Sequence, residues 1–116
     1  MFIDYFNPLD LNALNQNISI IYRNYKKKID ESTIISLKNY CKSNKRKLYL
    51  ALNIKLAIKH KLDGVYIPSF VKTKNFNFYP KPKNFFIIGS AHNKSEIINK
   101  RDQGCSSIFL APIFKV

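Results

Sequence analysis

The stretch from Phe85 to Phe114, FFIIGSAHNKSEIINKRDQGCSSIFLAPIF, constrains the fold more than any other part of the chain. It opens on Phe85-Phe86-Ile87-Ile88, a run too short for a helix and aromatic and β-branched enough for a strand buried on both faces. Gly89 is expected to end that strand, and the polar turn Ser90-Ala91-His92 follows. Asn93 and Glu96 have the spacing of a reciprocal cap, which predicts a helix start. Ile97 and Ile98 are expected on its apolar face, Lys100 and Arg101 at the negative end of its dipole, and Gly104 at a left-handed exit. A second apolar run, Ile108-Phe109-Leu110, ends at Pro112. A crossover of this length joins parallel strands and excludes a hairpin.

The same alternation extends back to the N-terminus. Met1 to Phe6 reads as a first strand, and Leu9, Leu11 and Leu14 as a short helix after Pro8. Ile18 to Tyr22 is a stronger strand that runs into Arg23 and the cluster Lys26-Lys27-Lys28. In a parallel sheet, cations at a strand's carboxyl end stand where ligands bind; the alternative reading is a solvated loop. Asp30 is placed to cap the next helix, with Ile34, Leu37 and Cys41 on one face and Lys45-Arg46-Lys47 closing it. Leu48 to Leu52 reads as a third strand, and Ile54 to His60 as a short helix with His60 on its solvent side. Asp63-Gly64 reads as a turn into Val65-Tyr66-Ile67, a strand stopped by Pro68. From Ser69 to Asn84 the pattern dissolves into aromatics, lysines and prolines, which predicts a loop containing at most a short irregular helix. The order is β-α-β-α-β-α-β-loop-β-α-β: one α/β domain over 1–116 with about six parallel strands. Pattern alone does not choose between a barrel and an open sheet.

Composition bounds the function. The chain of 116 residues is 46% hydrophobic, which argues for a folded domain of modest core. No apolar run approaches the roughly 20 residues of a membrane span, and Asp4 and Pro8 do not suit a secretory signal, so a cytoplasmic protein is expected. Cys41 and Cys105 have no metal-ligand spacing and read as reduced, buried small hydrophobes. The net charge of +13 favours anionic ligands such as phosphates, but the lysines are scattered, and Lys, Asn, Ile, Phe and Tyr are what AT-rich coding would impose. Nucleic-acid binding is therefore the remote reading.

Three segments in order, LAIKHKLDGVYIPS, FFIIGSAHNKSEIINKRDQG and CSSIFLAPIF, resemble the successive strand signatures of the thiamine phosphate synthase/TenI superfamily. The family pattern is a stretch like LALALGADGVHLGQ, then IIGxSxHxxxE, then GADYVGLGPVFPT; SIIYRNYK resembles its earlier QLREK strand. The resemblance implies a TIM-type (β/α) barrel. It also implies an activity on phosphorylated thiazole or pyrimidine. Synthases of the family couple hydroxymethylpyrimidine diphosphate with thiazole phosphate and release pyrophosphate with Mg2+; the TenI branch aromatises the thiazole carboxylate phosphate.

Carried over residue by residue, the resemblance places Arg23 at the phosphates, where a guanidinium fork holds oxygens bidentately. Lys26 stands one step off the register of the family's lysine, and Ile21 stands at its glutamine. Its magnesium carboxylates and neighbouring asparagine fall on Ala51, Leu52 and about Val71, which offer no oxygen ligand from their side chains. His92 matches the histidine linked to proton transfer, an apt group for moving a proton near neutral pH; Ser90 beside it is expected to donate to a phosphate or ring substituent. The alternative for His92 is a capped turn. Tyr66 and Pro68 stand where the family has histidine and glycine.

A closed barrel takes about 250 residues, about 200 at the low end, and this chain reaches only the sixth strand. A fragment or a naturally short protein is expected, with open sheet edges that favour self-association. The expected function is thus thiamine phosphate synthase-like coupling. The alternatives are a TenI-like tautomerase or a non-catalytic phosphate-ligand-binding remnant.

Overall fold

The short apolar runs become strands in the computed structural model, which describes residues 2–15, 17–23, 30–73 and 75–110. The elements are β1 (Phe2–Ile3), α1 (Pro8–Asn12), β2 (Ile20–Tyr22), α2 (Glu31–Ser43), β3 (Leu48–Ala51) and α3 (Ile54–Lys59). Then come β4 (Gly64–Ile67), a single 3-10 turn (Asn75–Phe78), β5 (Phe86–Ala91), α4 (Lys94–Asp102) and β6 (Ser107–Leu110). All six strands lie in one sheet in chain order, each parallel to the next. The result is an α/β structure whose sheet curls into half a barrel. No helix among the described residues is long and apolar enough to cross a membrane.

Alternation along each strand divides the core in two. Ile20, Tyr22, Leu48, Leu50, Val65, Ile67 and Ile87 point to the convex face and pack with Leu11, Ile34, Leu37, Cys41, Ile54, Ala57 and Phe76 from the crossovers. Ile21, Tyr49, Ala51, Tyr66 and Ile88 form a second cluster on the concave face. Burial on both faces explains why the central strands read as continuous apolar runs with no polar alternation. The outer strands are less covered, with Phe2 on β1 and Phe109 and Leu110 on β6 exposed.

Asx residues open all four α-helices: Asn7, Asp30, Asn53 and Asn93 accept hydrogen bonds from the backbone N–H groups of Leu9, Ser32, Leu56 and Glu96. Each supplies an acceptor to one of the donors that a helix start leaves without a partner.

Several sequence expectations need correction or sharpening, each for a tertiary reason. Gly89 does not end β5, which runs on to Ala91 and so takes Ser90 into the strand. Packing favours glycine at position 89, because a Cβ there would lie 2.7 Å from Lys100 Cδ and 2.9 Å from Cys105 Sγ and would force those side chains to shift. Gly64 is the first residue of β4 rather than a turn residue, and a Cβ would collide with the Phe86 carbonyl oxygen 1.9 Å away. Lys100 stands in the last turn of α4 as expected, but it does not reach solvent there. It is fully buried, its stem lies over Gly89, and Nζ donates to Val71 O at 2.8 Å. Ile98 is exposed and Ile97 half-buried, so α4 docks mainly through Lys100 and the buried Gln103 that follows it. Arg46 is not a surface cation closing α2. It is buried and donates to the carbonyls of Leu11, Leu14, Asn15 and Ile18 at 2.6–3.2 Å, which gives one α1 carbonyl a donor and ties down the segment that follows the helix.

Two further expectations change: His60 does not lie on the solvent side of its helix, and Cys105 is not fully buried. The His60 ring is largely covered, and Nε2 lies 3.0 Å from Glu31 Oε1, which also takes Lys59 Nζ at 2.9 Å. Lys59 first, then His60, hold the Glu31 carboxyl below its ordinary value. Cys41 is buried as expected; Cys105 is only partly covered. Burial pushes both thiols up to about 11, which leaves them protonated and unreactive at neutral pH.

Candidate functional site

At the carboxyl end of the sheet, side chains from four strands meet in a chain of contacts. The Arg23 backbone N–H donates to Ile3 O at 2.8 Å, which fixes this residue beside β1. Its guanidinium carbon lies 4.4 Å from the centre of the Phe2 ring. The Phe2 ring in turn meets Tyr66 edge-on, with centres 5.0 Å apart and planes at 70°. Tyr66 is buried on the concave face, and its hydroxyl oxygen lies 2.5 Å from Ser90 Oγ. Arg23, Phe2, Tyr66 and Ser90 thus join β2, β1, β4 and β5.

This arrangement has definite chemical capacities. A guanidinium over a ring finds no hydrogen-bond acceptor there, so its N–H donors stay available to a planar or tetrahedral oxyanion. The cation–π contact itself contributes about 0.5–1 kcal/mol at an exposed position. The Tyr66 and Ser90 hydroxyls share one hydrogen bond, so the pair retains one O–H and several lone pairs for a ligand. Phe2 and Tyr66 supply the aromatic surface that a planar ring would pack against.

His92 follows two residues beyond Ser90, exposed, just outside β5. Its backbone N–H donates to Glu96 Oε1 at 2.7 Å, while the Glu96 N–H donates to Asn93 Oδ1 at 2.9 Å. Asn93 caps the helix as expected, but the return bond from Glu96 goes to the residue before the cap rather than to the cap itself. That bond fixes the His92 backbone at the mouth of the sheet and brings a carboxylate to the same turn.

The positions that would hold magnesium by resemblance do not fit it. Ala51 is buried and Leu52 adopts a left-handed φ of 70°, its N–H donating to Tyr66 O at 2.9 Å. The Val71 carbonyl is occupied by Lys100 and Gln103. Among the described residues, no group of three or more His, Cys, Asp or Glu side chains comes together. A hard divalent cation needs oxygen ligands that these three side chains cannot supply.

Of the sequence-derived site residues, Arg23 and Ser90 are brought into one contact chain, and His92 follows Ser90 by two residues just past the end of β5. Lys26 lies outside the described residues. Phe2 was missed. Its role follows from the register Phe2↔Ile21, which puts it on the concave face. No family model matches the chain, and no curated protein matches it either.

Proposed function

We propose that the chain binds a small phosphorylated aromatic ring at the carboxyl ends of β2, β4 and β5, in the manner of the thiamine phosphate synthase/TenI superfamily that its sequence resembles. Its six strands would then be part of a TIM-type barrel. The observation that carries this reading is the contact chain Arg23–Phe2–Tyr66–Ser90 at the end of a parallel sheet where ligands of such folds bind. Arg23 holds the phosphate, Phe2 and Tyr66 pack on the ring, and the Tyr66–Ser90 hydroxyl pair fixes a ring substituent.

His92 is the acid–base group. Its imidazole takes a proton from one atom of the conjugated ring system and returns it at another, so the step is a net proton shift with no leaving group. This favours the tautomerase branch. Coupling with release of pyrophosphate asks for carboxylates where the chain has Leu52 and about Val71.

Calorimetric titration with thiazole phosphate and with the pyrimidine diphosphate, each with and without magnesium, tests the proposal. Thiazole phosphate is expected to bind without magnesium and to lose at least tenfold in affinity in Arg23→Ala. His92→Gln should retain binding and lose turnover. Tight, magnesium-dependent binding of the diphosphate would instead favour coupling, and binding of neither compound would sink the proposal.

A further inference from the structure

The amino end of the sheet repeats one turn three times. After α2, α3 and α4 the chain leaves the helix through a left-handed residue, and a backbone bond closes each turn: Arg46 N–H to Cys41 O, Leu62 N–H to Ala57 O, and Cys105 N–H to Lys100 O, at 2.8–3.1 Å. Glycine is the residue suited to that position. Gly104 occupies it after α4, with φ 92°, but Lys45 and Lys61 occupy it after α2 and α3, with φ 56° and 55°. The difference correlates with a cavity. Lys45 and Lys61 line one of about 210 Å3 between the ends of α2 and α3, and Gly104 does not.

Lys38, Lys42, Arg46 and Asp63 complete the charged wall of that cavity. Two of its charges are already committed to the fold. The Arg46 guanidinium is spent on four backbone carbonyls, and Asp63 Oδ2 accepts the Leu48 N–H at 2.8 Å. Four lysines and one carboxylate residue are therefore left in its lining. Helix C-termini attract cations, but α2 and α3 already have Lys42 and Lys59 in their last turns. Lys38, Lys45 and Lys61 exceed that need, and two of the three are held in a backbone conformation that L side chains disfavour.

We propose that this cavity is a second site, separate from the carboxyl-end site, for a compact, multiply charged phosphate anion. At about 30 Å3 per water, it has room for roughly seven waters, enough for a diphosphate group. Lysines suit such a ligand because they act as point charges that tolerate varied oxygen geometry. Free diphosphate and the phosphates of a nucleic-acid strand share this chemistry.

Calorimetric titration of the full chain with inorganic pyrophosphate at two salt concentrations tests the site. The double variant Lys45→Gly/Lys61→Gly removes two charges and relaxes two left-handed residues, so it is expected to melt at a higher temperature while binding at least tenfold more weakly. Lys55→Gln/Lys83→Gln removes the same charge from exposed positions outside the cavity and should change affinity less than twofold. Arg23→Ala, which disables the carboxyl-end site, should leave a pyrophosphate binding step of unchanged affinity. Absence of binding to the parent chain, equal loss in both double variants, or loss of all binding in Arg23→Ala would overturn the proposal. Competition with a single-stranded oligouridylate identifies the source: displacement of pyrophosphate places a polymer's phosphates in the cavity, and simultaneous binding leaves a free phosphate as its occupant.

Discussion

Two consecutive crossovers cover the convex face by different means. Between β3 and β4 the chain forms α3, whose Ile54 and Ala57 enter the core and whose Asn53 caps its own start. Between β4 and β5 the described residues form a 3-10 turn, Asn75–Phe78, and no α-helix, yet Phe76 enters the same core and Val71 and Phe85 pack against it. A helix satisfies its backbone internally, whereas an irregular segment passes that demand to its neighbours. Here α4 meets it: Lys100 Nζ and Gln103 Nε2 donate to Val71 O, and Gln103 Nε2 also donates to Thr73 O at 2.8 Å. The irregular crossover is thus why a lysine and a glutamine occupy the core. It also ties the site to α4, because this segment leaves the strand bearing Tyr66 and enters the one bearing Ser90.

The largest expected effect falls on β4, the strand that both crossovers share. Gly64→Ala puts a Cβ against the Phe86 carbonyl and should cost about 4 kcal/mol or more, read as loss of the cooperative unfolding transition. Next comes a direct contrast between the crossovers. Gln103→Leu leaves Thr73 O without this donor, and its cost is partly offset because Gln103 Oε1 itself has no partner among the described residues; about 2 kcal/mol is expected. Asn53→Ala removes only a local cap and should cost about 1 kcal/mol. Urea denaturation ranks the two, and equal costs would break the comparison.

Lys100→Met should have the smallest effect at neutral pH, within about 1 kcal/mol of the parent, because the lysine's buried charge is costly and Gln103 still serves Val71 O. Its signature is pH dependence. Desolvation lowers the Lys100 pKa from the ordinary 10.5, against smaller opposing effects of the Cys105 and Glu96 charges. The folded chain therefore binds that proton less tightly than the unfolded chain. Burial destabilises below the folded pKa, and the penalty fades as pH rises toward 10.5. The Cys41 and Cys105 thiols, raised from 9.0 to about 11, act oppositely above pH 9 in both proteins. The parent should accordingly gain on Lys100→Met as pH rises, and a parent that instead loses ground would show that the buried ammonium is not under strain.

The architecture was legible because it rests on local signals. Short apolar runs alternate with helices, two of them opened by the caps Asp30 and Asn93, and the order of elements fixes parallel pairing. What stayed illegible depends on distant partners. Lys100 and Arg46 look like any other cations until the carbonyls they serve are brought to them by the fold. Gly89 reads as a strand end, although the Lys100 stem and Cys105 are what disfavour a side chain there. At the site, Arg23 and Ser90 were readable from strand ends, but Phe2 needed the β1–β2 register and Tyr66 the curl that brings it to Phe2.

The central claim is that ligand binds at the carboxyl ends of the strands, and amide chemical-shift mapping tests it most directly. On titration with thiazole phosphate, the largest perturbations are expected at Arg23, Tyr66, Ser90 and His92, with Lys47, Asp63 and Phe86 at the opposite end unchanged. Shifts concentrated at that opposite end, or none at all, would contradict it.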